Sequence, residues 1–205
     1  MNAIEKLTEV FREFPGIGPR QAKRFVYYLL LKQPAYLDTL SRLIKEIRNE
    51  VHSCTSCFRL FGSTSSPSKS LCSVCADNSR DNSLLMVLEK DIDLESIERS
   101  RAYTGRYFVL GGTVAILEKE PEKTVRVREL LSRIEKNKGT IREIILAFSV
   151  NADGENTAEY VTTFLKPTIE KNGMKISGLG RGLSTGSEVE YADTETLKSA
   201  LKNRI

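Results

Sequence analysis

Two CxxC pairs, Cys54-Thr-Ser-Cys57 and Cys72-Ser-Val-Cys75, constrain this chain more than any other feature, because they hold all four of its cysteines within residues 54–75. A CxxC turn points two thiolates at one centre, and two such turns complete a tetrahedral shell around Zn²⁺ with no open position. A closed shell is a structural site, so the spacing predicts a four-cysteine zinc knuckle with Cys54, Cys57, Cys72 and Cys75 as ligands. The other common use of CxxC, a redox couple, occurs singly beside a strand-to-helix turn and not as a matched set. His52 is the only histidine. With four thiolates filling the shell, it is expected to be a partly buried residue at a helix end.

The knuckle divides two unlike segments. Residues 1–53 carry nine Lys/Arg against six Asp/Glu, residues 54–80 three against one, and residues 81–205 nineteen against twenty. The net charge of +4 is therefore concentrated in the first 80 residues, as expected of an end that meets polyphosphate, although a solvated helical surface has the same composition. A length of 205 residues with 40% apolar content suits one core with small appendages. No apolar run is long enough to span a bilayer, and the segment MNAIEKLTEVFREFPG carries acidic residues where a secretory core would be apolar. A soluble, cytoplasmic protein with no membrane partner is expected.

Hydrophobic spacing predicts an all-helical N-terminal segment. Ile4, Leu7, Val10, Phe11 and Phe14 recur at helical steps from Ala3 to Phe14. After the break at Pro15-Gly16-Ile17-Gly18, Pro19 suits a first helical position, and Ala22, Phe25, Val26, Leu29 and Leu30 carry a second helix. A third is expected from about Tyr36 to Val51. Gly62–Ser70 is a polar spacer. Beyond Cys75, short buried strands are expected at Leu84–Leu88, Tyr107–Leu110, Ile144–Phe148 and Lys175–Leu179, alternating with helices near Arg126–Ile134 and Ala158–Ile169. That alternation predicts a mixed α/β fold with a mostly parallel sheet flanked by helices.

Gly16-Ile17-Gly18 between two amphipathic helices is the core of a helix-hairpin-helix. The glycines permit a tight turn whose outward amides, with those opening the next helix, can hold a DNA phosphate. Arg20, Lys23 and Arg24 lie on the following turns, so Gly16, Gly18, Arg20, Lys23 and Arg24 form the candidate DNA-binding set. Such contacts carry no sequence information and weaken with salt. The residues alone also permit a plain turn beside a wet basic face. Glu89 ends the first strand, where open α/β sheets place functional groups, and Ser149-Val-Asn-Ala-Asp-Gly-Glu155 follows a later one. Glu89, Asp153 and Glu155 are a candidate acidic site for Mg²⁺; equally, the acidic pair suits the start of a helix near Asn156.

The order of these features carries a resemblance: FPGIGPRQAKR in the hairpin, a knuckle ending in CADNSRD, a strand ending in VLEK, then SVNADGENTAEY and VEYADTETLKSAL. Over nearly its whole length the chain resembles the RecR family of bacterial recombination mediators. The resemblance implies a helix-hairpin-helix module at 1–53, a C4-type zinc finger at 54–75, a Toprim domain at 82–178 and a C-terminal tail at 179–205 that serves oligomerisation. It also implies a homo-oligomer, from dimer to ring tetramer, that encircles DNA at the bacterial nucleoid and works with RecO and RecF to deliver RecA to gapped DNA. The family's basic positions fall on Arg20 and Arg24, its metal ligands on the four cysteines, and the Toprim glutamate on Glu89. Asp153-Gly154-Glu155 matches the family's Glu-Gly-Glu. Catalytic Toprim enzymes carry Asp-x-Asp where this chain has Ser149 and Asn151, so two Mg²⁺-binding carboxylates are missing. A non-enzymatic scaffold is expected, with structural Zn²⁺ as its cofactor and Mg²⁺ a doubtful one. The chain departs from the family in its longer inter-cysteine loop and in Arg181–Ser187, which lacks the usual proline and second glycine.

Overall fold

The computed structural model describes residues 1–62, 70–183, 186 and 188–204. The polar spacer expected at Gly62–Ser70 thus lies, over residues 63–69, outside the described residues, as does part of the Arg181–Ser187 segment. Two compact units divide the chain, Met1–Val51 and His52–Ile205.

The first unit is helical: α1 (Ala3–Arg12), α2 (Pro19–Leu30) and α3 (Pro34–Glu50). Asn2 and Glu5 form a capping box at the start of α1, the Glu5 amide donating to Asn2 Oδ1 at 3.0 Å and the Asn2 amide to Glu5 Oε2 at 2.9 Å. That helix stops at Arg12, short of the expected Phe14. Phe11 meets Phe25 edge-on at 5.8 Å between centroids, and Ala22 and Val26 are the buried residues of α2. Prolines occupy the first position of both α2 and α3, where a missing amide costs nothing. No residue of α3 is buried.

Beyond the first unit, whose last residue opens β1 (Val51–Ser53), β1 and β2 (Leu60–Gly62) make a two-stranded sheet at the first cysteine pair, and a single turn, α4 (Ser73–Ala76), contains Cys75. His52 is half-buried in β1, its ring 6.2 Å from that of Phe61; it is a strand residue, not the helix-end residue expected, because α3 closes at Glu50. The main sheet comprises β3 (Asp81–Leu88), β4 (Gly105–Val109), β5 (Glu143–Ala147) and β6 (Lys175–Gly178) in the order β4-β3-β5-β6, every described pairing parallel. The crossovers run through α5 (Asp91–Ser100), α6 (Pro121–Thr124) with α7 (Val127–Lys136), and α8 (Ala152–Asn172). A 3₁₀ turn at Val189–Tyr191 and α9 (Thr194–Lys202) follow.

Strand alternation sorts the core into two layers. Leu85, Val87, Phe108 and Ile144 pack with Leu130 and Ile134 of α7 and Val161 and Leu165 of α8. On the other face Met86, Leu88, Tyr107 and Val109 pack with Leu94 of α5 and with Cys54, Cys57 and Cys72. The cysteine loops therefore cover part of a sheet face that a helix would otherwise cover. The C-terminal ends of the central strands β3 and β5 then bring Glu89 beside Ser149.

Candidate metal centre and nucleic-acid interface

The fold gathers the four cysteines. Their sulfurs all lie within 4.8 Å of one another, and Cys57 Sγ stands 3.6 Å from Cys72 Sγ. A tetrahedral Zn²⁺ site with Zn–S bonds of about 2.3 Å has sulfur–sulfur edges of about 3.8 Å, whereas a disulfide needs about 2.05 Å. The spacing thus suits a shared metal and not a cross-link. The sulfurs also perturb each other. Hydrogen bonding from Cys57 pulls the Cys54 thiol down, and the same contact pushes Cys57 up. Cys72, raised by Cys54 but lowered more by Cys57 and Cys75 together, is held at about 6, and Cys75 is pushed up, Cys54 again the main cause. Four packed sulfurs can all be thiolates only if a cation neutralises them. The donor set fits a divalent metal.

Backbone geometry shapes the cage. Cys54 accepts the Phe58 amide at its carbonyl, 2.9 Å, and donates its own amide to Arg59 O at 2.8 Å; Cys72 O accepts from Ala76 at 2.9 Å. The Cys72 amide points at Cys54 Sγ, 3.4 Å away. Closing the first turn puts Phe58 in the left-handed region, φ 61°, a conformation unfavourable for a side chain. Its ring recovers contact against Phe108, 5.4 Å away, and beneath the Arg126 guanidinium at 5.6 Å.

Two arginines that no sequence motif marks fix the cage to the sheet. Arg133 of α7 donates to Ser56 O at 2.7 Å and to Tyr107 O at 2.6 Å. Arg106 of β4 donates to Val74 O at 2.8 Å and Cys75 O at 3.2 Å. The Val109 amide completes the attachment at Cys57 O, 2.8 Å. Both CxxC turns are held by carbonyl contacts, which tie their orientation to the strands.

The acidic residues divide between the end of β3 and the first turn of α8. Glu89 is 4% exposed and accepts the Ser149 amide at 2.5 Å and the Ser149 hydroxyl at 3.1 Å. Helix α8 begins at Ala152, not near Asn156, because Asn151 caps it by accepting the Gly154 amide at 2.8 Å. Asp153 and Glu155 therefore lie on the first turn, two positions apart and about 200° around the axis. Glu155 pairs with Arg181 at 2.9 Å. Among the described residues only the cysteines gather as three or more possible metal ligands within 4.8 Å; Glu89, Asp153 and Glu155 do not converge. Ser149 and Asn151, which stand in the Asp-x-Asp places, each have structural work: one satisfies a buried carboxylate, the other caps a helix.

In the first unit the glycine turn is built as the hairpin requires. Gly16 has φ +76°, open to glycine alone without strain, and no heavy atom lies within 4 Å of a Cβ placed at Gly16 or Gly18. Gly18 is the N-cap of α2 and brings no side-chain acceptor to the helix's first amides. Gly16, Gly18, Arg20, Lys23 and Arg24 are all exposed. Among the described residues these helices hold the ion pairs Met1 amino terminus–Glu5, Arg12–Glu9 and Arg42–Glu46, and no carboxylate pairs with Arg20, Lys23 or Arg24.

Residues 4–48 match the family model described as RecR, helix-hairpin-helix, residues 83–179 the Toprim domain, and residues 182–205 RecR, C-terminal. The chain is 38% identical over 202 residues to a recombination protein RecR of Bifidobacterium longum subsp. infantis, covering 98% of this chain and 95% of that protein. Its likeness to the protein of the same name from Streptomyces avermitilis is 35% over 201 residues, with coverages of 98% and 95%. For that of Chloroflexus aurantiacus it is 36% over 201 residues, with 98% and 93%. Among the described residues no helix is long and apolar enough to cross a membrane.

Proposed function

Because the chain belongs to the RecR family of recombination proteins, we propose that it is a non-enzymatic recombination mediator, an oligomeric clamp that grips DNA through its hairpin. The family places it in recombination and repair with a DNA-binding helix-hairpin-helix. The finer reading is a cytoplasmic, nucleoid-bound homo-oligomer, up to a ring tetramer, that works with RecO and RecF to place RecA on gapped DNA. In it, 1–53 is the DNA module, 54–75 a C4-type finger holding Zn²⁺, 82–178 the Toprim domain and 179–205 the oligomerisation tail.

One observation carries this reading: exposed cations without carboxylate partners among the described residues stand on the first turns of a helix whose N-cap is glycine. The amides of that helix start suit an anion, and Arg20, Lys23 and Arg24 add charge along the path of a phosphodiester chain. Several copies in one ring convert weak grips into firm retention.

The Arg20→Ala, Arg24→Ala double variant tests it. Removing two phosphate contacts from each engaged copy lowers the slope of log affinity against log salt by about 1.4 per copy on single strands and about 1.8 per copy on duplex. The loss is equal across sequences, and far-UV circular dichroism stays unchanged because both positions are exposed. Wild-type affinity and slope in the variant remove the hairpin from the function. A second experiment addresses chemistry. With Glu89 committed to Ser149, protein incubated with supercoiled or single-stranded DNA and Mg²⁺ or Mn²⁺ leaves every phosphodiester intact. Cleavage that Glu89→Gln abolishes would make the protein an enzyme.

A further inference from the structure

The exposed face of α2 changes chemistry along its length. At 100° per residue Arg20, Arg24, Tyr27 and Leu31 fall within about 60° of one another, with Lys23 and Tyr28 on the flanks. The opposite side packs, with Ala22 and Val26 buried. Tyr27 is 49% exposed and Tyr28 51%. Tyr36, at the start of α3, stands with its ring 6.5 Å from that of Tyr28 at 83°. Lys32 lies with Nζ 4.3 Å from the Tyr28 centroid and 5.7 Å from that of Tyr36. Cations thus occupy the hairpin end, and half-exposed aromatic rings with one more cation occupy the other, about 12 Å on from Arg20 to Tyr28.

We propose that this aromatic end is a nucleobase platform: Tyr27 and Tyr28 stack on unpaired bases of a single DNA strand whose phosphates lie on Arg20 and Arg24. The inference rests on the DNA-binding reading and adds its substrate class. Aromatic rings following a basic track are how sequence-tolerant sites hold single strands, because every base offers a π face. Bases inside a duplex are already stacked on each other and cannot reach the rings. Leu30 and Leu31, 59% and 87% exposed, extend the patch, but Lys32 weighs against a purely apolar protein partner. Covering the patch with such a surface would desolvate an ammonium with no carboxylate to meet it among the described residues, whereas a phosphodiester chain supplies the opposite charge.

Fluorescence anisotropy on three ligands of equal length, an oligo-dT, an abasic single strand and a blunt duplex, tests the platform. The Tyr27→Ala, Tyr28→Ala double variant is expected to lose about tenfold or more in affinity for oligo-dT while holding the abasic strand and the duplex as the wild type does. The Tyr27→Phe, Tyr28→Phe variant keeps the rings and keeps the affinity. With no tryptophan in the chain, quenching of tyrosine emission by oligo-dT and not by the abasic strand gives a second readout. Equal loss on all three ligands, or no loss on oligo-dT, overturns the proposal. So does a fall in molar mass by light scattering, which would make the face a contact between copies of the chain. The Arg20→Ala, Arg24→Ala variant separates the two readings: it weakens all three ligands if the hairpin holds phosphates, and its unaltered binding would defeat the DNA-binding reading itself.

Discussion

Stripping the metal from the four cysteines, or replacing Cys57 by serine, is expected to unfold residues 52–62 and 70–76 while the parallel sheet stays folded. Among the described residues the knuckle has little of its own to hold it: a two-stranded sheet and one turn of helix, with cysteine itself supplying three of the buried residues. Structural Zn²⁺ contributes apparent free energies of about 10–16 kcal/mol in isolated fingers, which sets the ceiling for the loss. The sheet is different, because α7 and α8 cover one face independently of the cysteines. Amide exchange gives the contrast. The Thr55 and Phe58 amides, bonded to Ser70 O and Cys54 O, lose protection, as does Val109, whose acceptor is Cys57 O. Those of Val87 and Leu146, in the β3–β5 ladder, keep most of theirs. An opening of about 4 kcal/mol corresponds to roughly a thousandfold faster exchange at the first set. Metal analysis should give one zinc per folded chain and none in the stripped form. A stripped protein that keeps its Thr55 and Phe58 protection would show that packing alone holds the knuckle.

Why the knuckle is legible in the sequence and its attachment is not follows from the kind of signal each leaves. Cysteine spacing is local and nearly unambiguous, and strands such as Leu84–Leu88 and Ile144–Phe148 announce themselves as short apolar runs bounded by polar residues; the observed β3 and β5 include most of both. Arg106 and Arg133 carry no such mark. An arginine on a strand or on the polar flank of a helix reads as solvated surface, and only the tertiary fold puts backbone carbonyls of the CxxC turns in its reach. Helix α5 is silent for a related reason: Asp91–Ser100 has few apolar residues, and its single buried anchor, Leu94, is too little for a periodicity to emerge. The start of α8 falls earlier than expected because Ala152-Asp-Gly looks like loop, while the Asn151 cap that turns it into helix depends on a bond to the Gly154 amide. That difference has a functional consequence. As loop residues Asp153 and Glu155 would be free to converge on Glu89, whereas on a helix they diverge.

Gly154→Ala is expected to be among the most damaging single substitutions in the chain, although helix propensity alone predicts the reverse. Gly154 sits in the first turn of α8, and glycine there costs about 1 kcal/mol relative to alanine. A Cβ at this position would lie 2.0 Å from Ser149 O and 2.9 Å from Ser149 C. Neither is the end of a flexible side chain, so relief requires the 149–151 backbone to shift or α8 to move off the sheet. The loop is not free to shift, because the Ser149 amide and hydroxyl both bond the buried Glu89 carboxylate. Moving Ser149 leaves that carboxylate without partners, a penalty of about 1–3 kcal/mol or more for a charged group, on top of about 1–3 kcal/mol for overpacking. The clash and the lost bonds outweigh the propensity gain, for a net loss of about 3 kcal/mol and a melting temperature lower by about 6–12 °C. Gly139→Ala is the control, since nothing lies within 4 Å of its Cβ position, and it should melt within a few degrees of wild type. Thermal unfolding by circular dichroism decides the matter: a Gly154→Ala protein as stable as the wild type would mean that Ser149 is not pinned, and that the glutamate at the end of β3 is open to other partners.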